Sequence, residues 1–97
     1  MATYIALTKY TQQGIQNIKE SPARLDSAKK AFQSMGAEIK QTFLVMGQYD
    51  LVVVFDAPDD ETAAKLMLAT GSGGNVSTQT MRAFTEDEFR KIIAGLP

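Results

Sequence analysis

Arg82 stands two and four residues beyond Thr80 and Thr78, so if this segment is extended the three side chains share one face. A guanidinium, with its planar fork of donors, set beside two hydroxyls is a pattern for holding a carboxylate or another small anion. The competing account makes this an edge strand whose charge discourages unwanted pairing. Tyr49 and Asp50 close the turn-like stretch Gly47-Gln48-Tyr49-Asp50. There a phenol could donate a hydrogen bond and a carboxylate act as base or orienter. Alternatively the aspartate caps turn amides and the ring packs on a neighbouring strand. Thr8, with Lys9 and Tyr10, ends an N-terminal run and either reaches the same site or faces water. Arg24 falls in the first turn of a helix, against the dipole. It fits either a ligand role or an ion pair with Glu20 four residues earlier.

Absences narrow the chemistry further. The chain has no histidine and no cysteine, which removes Cys/His zinc sites, thiol nucleophiles, Ser-His-Asp triads and haem held by either ligand. Gly71-Ser72-Gly73-Gly74 lies between a helix and a strand and lacks a lysine, unlike a phosphate-binding loop between a strand and a helix. Asp56, Asp59, Asp60 and Glu61 do not follow the EF-hand spacing, and acidic residues at a helix start have a sufficient cause in the dipole. No metal and no cofactor is therefore expected. Ten basic and eleven acidic residues, spread along the chain for a net charge of −1, give no single-signed field, so neither nucleic acid nor membrane is an expected partner. Met1-Ala2-Thr3-Tyr4 leads straight into strand-like residues without a leader pattern. A cytoplasmic location is the expectation, in which Asn75-Val76-Ser77 is a chance sequon.

The elements that must position these residues are readable from periodicity. Thr3 to Tyr10 is rich in β-branched and aromatic residues and reads as a strand; Thr11 to Ile18 reads as a short helical turn. Ser21-Pro22 form an N-cap and first-turn pair for a helix whose apolar positions are Leu25, Ala28, Phe32 and Met35, stopped by Gly36. Glu38 to Met46 alternates, with Ile39, Phe43 and Val45 assigned to one side. A short turn joins it to the unbroken apolar run Leu51 to Phe55, as in a hairpin. A second helix starts at the acidic Asp59-Asp60-Glu61, and a strand runs from about Asn75 to Phe84. A last helix opens on a capping box from Thr85 to Glu88, with the stripe Phe89, Ile92, Ile93 and Leu96 in need of a docking surface.

This order places residues 1–97 in one α+β domain of ferredoxin-like β-α-β-β-α-β topology with an extra C-terminal helix. Its first and third strands are central. Both are apolar on two faces, yet two helices cover only one face of such a sheet. A second copy is the expected cover for the other face, giving a homodimer or higher homo-oligomer around a small inter-sheet cavity. Met35, Met46, Met67 and Met81 are read as adaptable core or interface fillers.

Gly47, Tyr49 and Asp50 between two strands, Gly74 to Phe84 leading into an acidic helix start, and Ser21-Pro22-Ala23-Arg24-Leu25 together resemble the GYD-domain proteins. The resemblance spans the chain. It implies a fold similar to the dimeric α/β-barrel proteins and a biochemical function that is largely unassigned. The residues themselves point to a small-molecule-binding or structural module, with a small anionic molecule in the inter-sheet cavity. Its candidate binding residues are Thr8, Arg24, Tyr49, Asp50, Thr78, Thr80 and Arg82. The alternative is a cofactor-free enzyme, monooxygenase- or isomerase-like, with Tyr49, Asp50 and Arg82 as acid, base and anion clamp.

Overall fold

A computed structural model describes all 97 residues. The elements are β1 (Ala2–Tyr10), α1 (Gln12–Gln16), a 3-10 turn (Ile18–Glu20), α2 (Ser21–Ser34), β2 (Glu38–Leu44), β3 (Leu51–Ala57), α3 (Asp60–Ser72), β4 (Val76–Ala83) and α4 (Glu86–Ala94). The four strands form one antiparallel sheet in the order β2-β3-β1-β4, so the two most apolar strands are the central ones. This is the ferredoxin-like α+β arrangement with an added C-terminal helix.

Local chemistry explains most boundaries. Thr85 caps α4 by accepting from Glu88 N while the Glu88 carboxylate accepts from Thr85 N, the reciprocal pair its sequence foretells. Asp59 Oδ1 accepts from Thr62 N at 2.7 Å and opens α3. At α2 the expectation fails in one respect. Ser21 is the first helical residue rather than the cap, and its hydroxyl pairs with Tyr10 Oη at 2.8 Å, leaving the helix start without a side-chain cap. A second departure lies in β2, where a bulge between Ile39 and Gln41 reverses the alternation. Ile39 therefore pairs with Phe55 on the helix-covered face, and Phe43 pairs with Val52 on the opposite one. The two were expected on the same side.

The core lies wholly between the sheet and α2 and α3. Phe55 is completely buried; it stacks on Tyr4 with ring centroids 5.2 Å apart and meets Phe32 edge-on, also at 5.2 Å. Such pairs each add about 0.5–1.5 kcal/mol beyond simple burial. Ala6, Ala37, Ala57, Ala63 and Leu66 complete the cluster. On the other face Ile5, Leu7, Val52 and Val54 are only half-buried, and Phe43 and Met81 are more open still. No helix of this chain covers them. α4 leaves the body with Phe89, Ile92, Ile93 and Leu96 all exposed, which stretches the molecule to 51 × 31 × 18 Å.

The chain's other fixed point is α1. Thr11 N donates to Asn75 O at 3.0 Å and Thr11 Oγ1 to Gly74 O at 2.6 Å, latching α1 onto the turn between α3 and β4. A Cβ on Gly14 would stand 2.0 Å from Asn75 O, whereas one on Gly71, within α3, would meet nothing within 4 Å. The two helical glycines therefore respond oppositely to alanine in denaturant unfolding. Gly14→Ala loses about 2 kcal/mol or more by forcing backbone apart. Gly71→Ala gains up to about 1 kcal/mol by restricting the unfolded chain.

Candidate functional site

The face of the sheet beneath the helices carries alternate residues of each strand. Tyr4, Ala6 and Thr8 come from β1, their partners Phe55, Val53 and Leu51 from β3, and Arg82, Thr80 and Thr78 from β4. Thr78, Thr80 and Arg82 do share a face, as their spacing requires. That face is the helix-covered one, not the open one where a second sheet would pack. The row therefore lies outside any inter-sheet space.

Two concavities open on this face. The larger, about 670 Å³, lies between α2 and α3, which stand apart over the sheet. Its floor includes Ala6, Val53 and the paired Thr8 and Thr78, and its α2 wall includes Arg24, Ala28 and Phe32. Thr8, 5 % exposed, is the one polar side chain among the buried residues. Arg24 Nη1 donates to Asn17 O at 3.1 Å and lies 3.7 Å from the exposed Glu20 carboxylate, so the expected pair is present. Its Nη2 is buried and has no partner. Thr8, Arg24 and Thr78 thus come together, within one groove.

The smaller concavity, about 300 Å³, is lined by Tyr4, Asp60, Ala63, Ala64, Met67, Thr80 and Arg82. Tyr4 Oη donates to Asp60 Oδ1. Thr80 Oγ1 is buried without a partner. Arg82 is largely committed to the fold: its Nη1 donates to Thr3 O at 3.3 Å and to Ala83 O, and its guanidinium lies 4.4 Å from the Phe84 ring centroid. A contact at 4.0 Å links it to Glu88 of α4. The Tyr4–Asp60 pair had no signal in residue spacing, since 56 positions separate its members. The available hint was that a tyrosine on a buried strand face must find a partner for its hydroxyl.

Tyr49 and Asp50 belong elsewhere. The Asp50 carboxylate accepts from Tyr10 N at 2.9 Å, while its own amide donates to Thr8 O and its carbonyl accepts from Val45 N. It stitches the loop before β3 onto β1. Tyr49 Oη donates to Gln79 Oε1 at 2.5 Å, and its ring lies 6.0 Å from Lys9 Nζ, both neighbours facing the open side. Gly47 has φ +133°, a conformation that favours glycine. Gly47, Tyr49 and Asp50 therefore tie β1, β3 and β4 together at one end. Asp50 lies beside Thr8 and Arg82 beside Tyr4, four residues further along β1, so an acid, base and clamp are not assembled within one chain.

Burial, followed by the hydrogen bond to Asp60 and the charge of that carboxylate, pushes the Tyr4 phenol up to about 12. Backbone and side-chain hydrogen bonds from Thr62 hold Asp59 below the usual carboxylate range, and the Thr85 amide does the same for Glu88. The Tyr4 shift makes an alkaline signature. The folded chain holds this proton more tightly than the unfolded one, so the stabilisation is complete below about pH 10 and is lost as pH rises towards 12. An absorbance titration should find one phenol ionising near 12, and Asp60→Asn, which removes the facing charge, should lower that midpoint. A Tyr4 midpoint near 10 in the native chain would contradict the buried pair.

A family model described as the GYD domain matches residues 4–93. A Thermus thermophilus protein named "Glutamine synthetase and cystathionine beta-lyase binding protein" is 32% identical over 84 residues, covering 86% of this chain and 88% of that protein. No solved structure gives a significant match.

Proposed function

This chain belongs to the GYD-domain family, and from that premise we propose that it is a cytosolic, self-associating module that binds other proteins rather than turning over a substrate. The observation that carries the self-association is the surface the fold leaves open. A compact monomer of 10.6 kDa exposes about 5,500 Å², and this chain exposes 6542 Å². The difference, roughly 1,000 Å², is of the order one partner buries in a standard interface, about 800 Å². The radius of gyration, 14.6 Å, likewise exceeds the value of about 12.5 Å for a compact chain of this length.

The open sheet face contributes apolar surface to this total, beside the projecting α4. Ile5, Leu7, Val52 and Val54 form an apolar centre on the open face, Phe43 and Met81 flank it, and Lys9, Gln79, Asp56 and Glu38 provide a polar margin. An apolar centre with a polar rim is the anatomy of an interface. The α4 stripe is a second apolar surface that this chain leaves unburied, suited to clasping a second copy. The case for protein clients rests on the Thermus relative, whose name records two enzyme partners.

Light scattering during size exclusion tests both parts. The wild-type chain should elute at twice the chain mass or a higher multiple, and Val54→Lys should elute as a folded monomer, because a lysine in the apolar centre carries a charge into the interface. With the host's glutamine synthetase added, the wild type should co-elute with it. A monomeric wild type would refute self-association, and separate elution from that enzyme would remove it as a client.

A further inference from the structure

We infer that the groove between α2 and α3 is a binding site for a small monocarboxylate with an aliphatic or aromatic body, its head group held by Arg24 in the first turn of α2. The inference rests on reading the chain as a binding module but does not depend on self-association, because the groove lies on the opposite face of the sheet from the proposed interface.

Shape comes first. A volume of about 670 Å³ falls within the ordinary range of small-molecule pockets, roughly 300–1,000 Å³. The groove exists because α2 and α3 do not close on each other, and small side chains such as Ala28 on the α2 wall keep it wide. Val53, Leu66 and Met67 make most of its depth apolar, which sets the body of the ligand.

The head group follows from charge. Arg24 brings a cation to the first turn of α2, where the dipole opposes it, and no side chain caps that turn. The guanidinium favours an anion there, whereas the first amides of α2 offer little, since Ser21 N already donates to Ile18 O and Pro22 has no N–H. Glu20 does not neutralise the site well: its carboxylate is 74% exposed and 3.7 Å away, and exposed pairs of this kind hold weakly. Nη2 of Arg24 still lacks an acceptor, and a small turn of the guanidinium into the groove would give a carboxylate two parallel hydrogen bonds. Thr8 and Thr78, paired across β1 and β4, add hydroxyls to the floor of an otherwise greasy groove.

Isothermal titration with octanoate and 3-phenylpropionate, each against its neutral amide, tests the site. At least one acid should bind, and its amide should bind about tenfold or more weakly, as expected for a lost charge-assisted contact. Arg24→Gln should erase the acid–amide difference, and Ala28→Phe should abolish binding by filling the groove. Amide chemical shifts of Thr8 and Thr78 should move on titration, which locates the site even where a groove-filling variant fails to fold. No binding by either acid, equal affinity for acid and amide, or shift changes confined to the open sheet face would overturn the inference. Light scattering on Arg24→Gln, expected to retain the wild-type mass, separates failure of the groove from failure of the assembly.

Discussion

Everything in this fold follows from the fact that a four-stranded sheet has two faces and the chain supplies two helices for only one of them. Phe55, Tyr4 and Phe32 lock the covered face into an aromatic cluster with Leu66 and a set of alanines. The central strands β1 and β3 nevertheless present Ile5, Leu7, Val52 and Val54 on the other side, where only 10 of 97 residues in the whole chain count as buried and none of these four does. Residues this apolar cost free energy in water, about 25 cal/mol for each Å² left exposed. That cost is the physical basis of the proposed self-association.

The same division organises the candidate sites. On the covered side, α2 and α3 pack on the sheet and stand apart, so the core is complete at the Phe55 end and open as a groove towards Thr8 and Thr78. On the open side, the loop with Gly47, Tyr49 and Asp50 acts as a brace. Its aspartate holds the Tyr10 amide and its tyrosine reaches Gln79. Gly47, Tyr49 and Asp50 thus brace the fold in this chain, whereas the site proposed in the groove draws on Arg24, Thr8 and Thr78.

Element order, strand centrality and the Thr85–Glu88 capping box were legible because each rests on local spacing or on composition within a few residues. Three features were not. The β2 bulge is a single extra residue, and it moved Phe43 to the open face without disturbing the apolar pattern that placed it with Ile39. The face taken by Thr78, Thr80 and Arg82 depends on β-pairing to Tyr4, Ala6 and Thr8, so spacing could say that the three were together but not which side they faced. The Tyr4–Asp60 contact joins the first strand to the start of the second long helix, a long-range pairing that only the folded chain brings about. The common cause is that local rules set elements, while registry between distant elements sets sites.

Small-angle X-ray scattering of the wild-type chain at micromolar concentration tests the central claim most directly, because forward scattering reports mass and the low-angle slope reports shape. Burial of the open sheet face by a second copy predicts a mass of twice 10.6 kDa or a higher multiple, constant on dilution through the micromolar range. A particle of 10.6 kDa with the elongated profile of the lone chain, at every concentration, would contradict it and leave the apolar face in water.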